Sequence, residues 1–239
     1  IRLENADQIP DDLSGISAVI LPLENDFPVI KNVKTIVEIP RGIISEAAII
    51  KRLNHYKEQG VNTALCGNLS AVKIAKDCGF KIMADTGLNV YNSYSANAVS
   101  KMGCEAVVLS NETLLSDAVS LSSPVNKGII SYGNIPLMLF KNCPIKNGKN
   151  CSECDKKNTI VDRKGIEFPV RCRMGYSELL NSVPVWLADK QKQFKNIDFQ
   201  ILYFTNEDKN RVSEVINAYK NATEPDCKHT RGLFFRGVI

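Results

Sequence analysis

The sequence predicts an α/β fold, a partial (β/α)8 TIM-like barrel carrying a Cys-rich insertion. Short β-branched apolar runs begin near residues 16, 35, 62, 80, 105 and 127. Amphipathic segments that end on glycine lie between several of them, an alternation that calls for a parallel sheet covered by helices. No Gly-x-Gly-x-x-Gly string follows any of the runs, which disfavours an open dinucleotide-binding sheet and leaves the barrel as the better reading.

The repeat unit is plain from residue 45 onward. Ser45 is placed to cap a helix carrying Ile49, Ile50 and Leu53, and Gly60 ends it before Val61-Asn62-Thr63-Ala64-Leu65. Ser70 precedes Val72, Ile74 and Ala75, with Gly79 leading into Phe80-Lys81-Ile82-Met83-Ala84. Ser95 precedes Ala98, Val99 and Met102, with Gly103 leading into the strand that ends at Leu109. After Phe140 the pattern gives way to a Lys-, Asn- and Cys-rich stretch through Arg173, too polar to be core. A helix is then expected around Tyr176 to Asn181, a strand at Phe199 to Phe204 and a helix from Asn210 to Asn221. Seven strands result, so an eighth is expected on the N-terminal side, in keeping with an opening (Ile1-Arg2-Leu3-Glu4) that reads as part of a longer protein. Three regions follow: barrel units at 1–140, a Cys-rich excursion at 141–175, and a closing α-β-α segment with an Arg/Gly-rich end at 176–239.

The 239 residues suffice for a full core without disulfide staples, and no apolar run approaches the roughly 20 residues that span a bilayer. No membrane role is expected. The formal charge of +4 is too small to announce a nucleic-acid binder, but basic residues concentrate between Lys141 and Arg173. There Lys141, Lys146, Lys149, Lys156, Lys157, Arg163, Lys164, Arg171 and Arg173 face only Glu153, Asp155, Asp162 and Glu167. This surplus suits an anion or RNA, although a solvated surface would look the same.

Of the eight cysteines, Cys66, Cys78 and Cys104 sit in apolar contexts and read as core residues. The pattern Cys143-Pro144-x6-Cys151-x2-Cys154-x17-Cys172 carries chemistry. Four thiolates, two of them at Cys-x2-Cys spacing, suit a tetrahedral Zn site or the corners of an iron–sulfur cluster. Cys227 is an alternative to Cys154 as fourth ligand. Asp162 and Arg163, between the cysteines, could shape such a site, Arg163 gripping a carboxylate or phosphate while Asp162 orients it or caps a turn. Arg231 and Arg236, each followed by glycine, are further anion-contact candidates. The histidines are His55, expected on a helix surface, and His229; no His-Glu-x2-His or Gly-x-Ser-x-Gly accompanies them.

Several strings together resemble peptidase family U32: Asn89-Val90-Tyr91-Asn92-Ser93, Tyr132-Gly133-Asn134-Ile135-Pro136-Leu137-Met138, Cys143-Pro144, Asp162-Arg163-Lys164-Gly165-x2-Phe168-Pro169, Asn181-Ser182 and Arg231-Gly232-x3-Arg236-Gly237-Val238. The resemblance runs over roughly residues 80–239 and implies a barrel-like fold and a cytoplasmic setting. It also implies one of two chemistries: collagenase-like peptide hydrolysis, or oxygen-independent hydroxylation of RNA or a quinone precursor with a cysteine-bound [4Fe–4S] cluster. RNA-base hydroxylation is the expected function, with peptide hydrolysis or a structural Zn module aiding RNA binding as alternatives. The family often has a Lys-x-Glu-Gly-Arg-like strand late in the barrel; Leu202-Tyr203-Phe204-Thr205-Asn206 departs from it.

Overall fold

Apolar strands buried on both faces require helices on one side and a packed interior on the other. The chain meets both demands. A computed structural model describes residues 1–42, 45–147, 150–154, 158–173 and 175–236. Lys149, Asp155, Lys156 and Lys157 of the basic stretch, and Gly237 and Val238 of the terminal motif, lie outside the described residues.

Strands β1 (Ala18–Pro22), β2 (Lys34–Ile39), β3 (Thr63–Cys66), β4 (Lys81–Ala84), β5 (Cys104–Val108) and β6 (Asn126–Gly133) lie side by side, each parallel to the next. Helices α1 (Glu46–Glu58), α2 (Leu69–Asp77), α3 (Ser93–Lys101) and α4 (Leu115–Ser120) make the crossovers from β2 onward, while β1 reaches β2 through a loop. Ser45 caps α1 as expected, its hydroxyl accepting from the Ala48 N–H. The caps of α2 and α3 are Asn68 and Asn92 rather than Ser70 and Ser95, because a cap must reach the N–H three residues on. Asn68 Oδ1 meets the Ala71 N–H at 2.8 Å and Asn92 Oδ1 meets that of Ser95 at 2.9 Å, with the Ser95 hydroxyl returning a bond to the Asn92 N–H. Gly60, Gly79 and Gly103 end their helices with φ of 89°, 75° and 99°, where a side chain would be strained.

The chain then leaves the parallel sheet. Strands β7 (Pro136–Phe140), β8 (Asn158–Val161), β9 (Glu167–Arg173) and β10 (Tyr176–Leu180) form an antiparallel sheet in the order β7-β10-β9-β8. The segment expected as a helix from Tyr176 is therefore a strand. Its residues alternate in role instead of following a helical stripe: Tyr176 and Glu178 face the parallel sheet, and Ser177 faces away. A two-residue strand β11 (Val185–Trp186) pairs antiparallel with the end of β6. The chain returns as β12 (Phe199–Leu202), parallel to β6, followed by α5 (Lys209–Lys220).

The parallel sheet is curled. Its two edges, β1 and the end of β12, are both bridged to Arg2: Leu3 N–H donates to Ile20 O, Arg2 N–H to Leu202 O, and Phe204 N–H to Arg2 O. On its inner face Ile20, Ile36, Leu65, Met83, Val108, Ile130 and Ile201 pack into one layer, one residue from each of the seven parallel strands among the described residues. On its outer face Val37, Ala64, Ile82 and Val107 pack against Leu53, Val72, Ala75 and Val99 of the helices, and Leu21 and Leu202 against Val212, Val215 and Ile216 of α5. Cys66 and Cys104 are buried in the outer layer as expected, and burial pushes both thiols up. Cys78, at the end of α2, is only partly buried. No helix of the described residues is long and apolar enough to cross a membrane.

Candidate active site at the mouth of the parallel sheet

Side chains two apart on a strand share a face. Two residues beyond the inner apolar layer, toward the C-terminal ends of the strands, stand Glu38 after Ile36, Gly67 after Leu65, Asp85 after Met83, Ser110 after Val108 and Tyr203 after Ile201. The interior thus changes within one layer from hydrocarbon to charge. Arg2 enters this layer from the bridging segment, with Glu38 at 2.7 Å, Asp85 at 3.3 Å and its guanidinium carbon 4.2 Å from the centre of the Tyr203 ring. Arg2, Glu38 and Asp85 are each at most 3% exposed.

The antiparallel sheet supplies the lid of this layer. Arg173 reaches Glu38 at 2.9 Å, Glu24 at 3.0 Å and Glu4 at 3.3 Å. Its strand neighbour Arg171 pairs with Glu4 and with Glu178, the residue directly across on β10, and its guanidinium carbon also lies over the Tyr203 ring, 5.1 Å from the centre. Tyr203 donates to Glu4. The stretch through Arg173, expected to be too polar for core, therefore sends two arginines into an enclosed part of the protein, where Glu38 of β2, Glu178 of β10, Glu4 of the N-terminal segment and Glu24 just beyond β1 make their burial tolerable.

Arg2, Arg171 and Arg173 stand against Glu4, Glu24, Glu38, Asp85 and Glu178, a formal excess of two negative charges. The excess divides the carboxylates. Burial would raise Glu38, but Arg173 and Arg2 outweigh it and hold the group down to about 2. Burial pushes Glu24 the other way, above the usual carboxylate range, because Arg173 offsets it only in part and the Glu38 and Glu4 charges add to it. Among the described residues Glu24 Oε2 is buried without a hydrogen-bond partner, and so are Arg171 Nε and Arg173 Nε. Buried polar atoms left open at a strand-end mouth are the atoms that a polar ligand would satisfy.

The predicted thiols lie on the other side of the lid. Because neighbours on a strand point to opposite faces, Cys172 and its cross-strand partner Ser177 face away from the mouth that Arg171, Arg173 and Glu178 face. Cys143 follows β7 and meets the same Ser177. Burial raises its thiol, but the Ser177 hydroxyl, the Ile145 and Lys146 amides and the Lys146 charge bring it below the usual thiol range. Cys151 and Cys154 share one short turn, and Cys154 Sγ accepts from Asn158 at 2.9 Å. Four thiols, one of them favoured as thiolate, have the donor chemistry of a Zn or iron–sulfur site. Among the described residues no three His, Cys, Asp or Glu side chains are gathered closely enough to hold a metal ion. Cys227 is apart from them, in a depression lined by Tyr132, Glu207, Arg211 and Asp226.

Of the other candidates, Asp162 caps the β8–β9 turn, accepting from the Lys164 and Ile166 amides at 2.7 and 2.9 Å, and Arg163 is exposed at its tip. Arg231 is engaged by Asp189 at 2.5 Å and the Trp186 carbonyl at 2.7 Å; Arg236 is exposed. His55 is exposed on α1 beside Gln59, and His229 contacts the Cys227 carbonyl. Sequence reasoning missed Arg2, Glu4, Glu24, Glu38, Asp85 and Glu178. The signal was available at Glu38 and Asp85, single acids ending β-branched or apolar runs where a charge has no reason to be unless it faces a built site.

No curated protein and no solved structure gives a significant match to the chain. The model of peptidase family U32 matches residues 45–148, from the cap of α1 through β7 and the Cys143 turn. By that match this part of the chain, 104 of the 239 residues, is similar to peptidase family U32.

Proposed function

We propose that the chain is a (β/α)8 barrel enzyme whose reaction site is the charged mouth, and that it hydroxylates an RNA base without molecular oxygen. Closure into a barrel is supported by the hydrogen bonds that Ile1 to Leu3 make with both edges of the curled sheet, in the place of an eighth strand. The observation that carries the site is the buried layer of arginines and carboxylates at the strand ends, where barrel enzymes work. Its open donors, Arg171 Nε and Arg173 Nε, suit the carbonyl edge of a base, and Glu24 Oε2 is the atom suited to hold a proton there. Replacing C–H by C–OH on the base is a two-electron oxidation, balanced either by a hydroxylated organic donor that leaves with hydrogen in place of its hydroxyl or by water together with a two-electron acceptor. Cys143, Cys151, Cys154 and Cys172 would hold a [4Fe–4S] cluster, with Zn as the alternative, on the far face of the lid. When bound, a cluster would supply one-electron redox chemistry.

The test is mass spectrometry of nucleosides from RNA co-expressed with the protein, alongside anaerobic iron and sulfide analysis. The wild type is expected to add one oxygen to a base. Cys151→Ala should lose that product together with the metal, and Arg163→Ala should keep the metal while weakening substrate or donor binding. Peptide cleavage by the wild type with no modified nucleoside would refute the proposal in favour of hydrolysis. Zn retention with RNA binding but neither activity would refute it in favour of a structural module.

A further inference from the structure

Arg41 differs from the arginines at the mouth. It lies just beyond β2, where its backbone is held from both sides: its N–H donates to the Tyr176 hydroxyl at 3.1 Å and its carbonyl accepts from Asn68 Nδ2 at 2.7 Å. The side chain runs over two glycines. A Cβ on Gly67 would stand 2.8 Å from Arg41 Cγ, and one on Gly87 would stand 2.9 Å from Arg41 Nε and 2.3 Å from the Gly67 carbonyl oxygen. These glycines are needed for space, since any side chain there would displace the arginine. Among the described residues its guanidinium has no carboxylate or carbonyl partner, whereas Arg2, Arg171 and Arg173 are all paired. A cation whose ordering is built into the fold and whose charge is unanswered is prepared for an anion from outside.

The loop after β4, whose Gly87 meets Arg41, leads into α3 through two exposed aromatics. Tyr91 and Tyr94 are 56% and 88% exposed, an unusual outlay of ring surface. They stand on a rigid turn: Asn92 and Ser95 form the capping box of α3, the Ser95 hydroxyl also takes the Tyr91 N–H, and Asn89, in left-handed backbone, accepts from buried Ser110. Rings presented on fixed backbone at a strand end offer flat faces at little entropic cost.

We infer that Arg41, Tyr91 and Tyr94 form a docking rim for single-stranded RNA beside the mouth, the rings stacking on bases and Arg41 contacting the phosphodiester. The inference rests on the RNA reading above and adds the residues that present the strand to the site. A planar base joined to a fixed negative charge is the ligand that matches exposed rings borne by the segment whose Gly87 the Arg41 side chain meets.

The test is fluorescence anisotropy with a labelled ten-residue oligouridylate, titrated with the full chain and its variants. Tyr94→Ala should weaken binding about 5- to 100-fold, the usual effect of losing a stacked base, and Tyr94→Phe should stay within about twofold of wild type. Arg41→Gln should lower the slope of log affinity against log salt by about 0.7, one phosphate contact on a single strand. Unchanged melting temperatures establish that the fold is intact. If wild type binds the oligonucleotide and all three variants bind it equally well, the rim is wrong while the RNA reading stands. If wild type does not bind it at all, the RNA reading fails and the rim with it.

Discussion

Replacing Arg173 with Met keeps most of the side-chain volume and removes the charge that holds the lid to the mouth. Three carboxylates lose a partner at once: Glu38 at 2.9 Å, Glu24 at 3.0 Å and Glu4 at 3.3 Å, with Arg173 itself 2% exposed. Breaking a buried pair from one side costs about 3–5 kcal/mol, which for a chain of this length lowers the melting temperature by about 6–20 °C at pH 7. The penalty depends on pH in a defined sense. Glu38 has a depressed carboxyl, so its contribution is fully present above the ordinary value of 4.5 and is lost as pH falls toward about 2. Glu24 acts oppositely: its raised carboxyl binds a proton more readily when folded, so acid relieves it. Both effects make the uncompensated carboxylates less costly in acid, and the gap between wild type and Arg173→Met should narrow from pH 7 to pH 3. Scanning calorimetry at the two pH values measures it. A drop below about 2 °C at pH 7, or a gap that does not change with pH, would refute the reasoning.

Ser177→Ala removes the hydroxyl that favours the Cys143 thiolate, so the midpoint of Cys143 alkylation against pH should move upward, read by peptide mass spectrometry; an unmoved midpoint would show that the amides alone suffice. Gly128→Ala would place a Cβ 2.2 Å from the Phe199 ring inside the parallel sheet and should cost about 1–3 kcal/mol in urea unfolding. Asp162→Ala removes an acceptor shared by two exposed amides and should cost under about 1 kcal/mol without altering binding at the mouth; a large loss would mean that the turn does more than shape the hairpin.

The parallel part of the fold was legible because its strands are apolar on both faces and its helices end on glycines that only a left-handed turn requires. The expected starts near 35, 62, 80, 105 and 127 fall within one residue of β2 through β6. The antiparallel lid was not legible, because β9 (Glu167–Arg173) hides its inward face behind charge: Arg171 and Arg173 look like solvent-facing residues until Glu4, Glu24 and Glu38 arrive from more than a hundred residues away. The same distance concealed the site. Local pattern singled out thiols and exposed arginines, which are close in sequence, whereas the mouth is assembled from strand ends that only the sheet brings together. Ile1 to Leu3 show the limit most clearly, since three residues are too short to read as a strand yet bridge both sheet edges.

The most direct test of the mouth as the reaction site is Glu24→Gln, assayed by nucleoside mass spectrometry on co-expressed RNA. Gln keeps the shape and an oxygen for Arg173 but cannot exchange a proton at the Oε2 position, the carboxyl being raised and this oxygen without a partner among the described residues. The account predicts a folded protein with wild-type iron content and at least about a tenfold loss of the oxygen-added nucleoside, the loss of one acid–base group. An undiminished yield from the Glu24→Gln protein would contradict it.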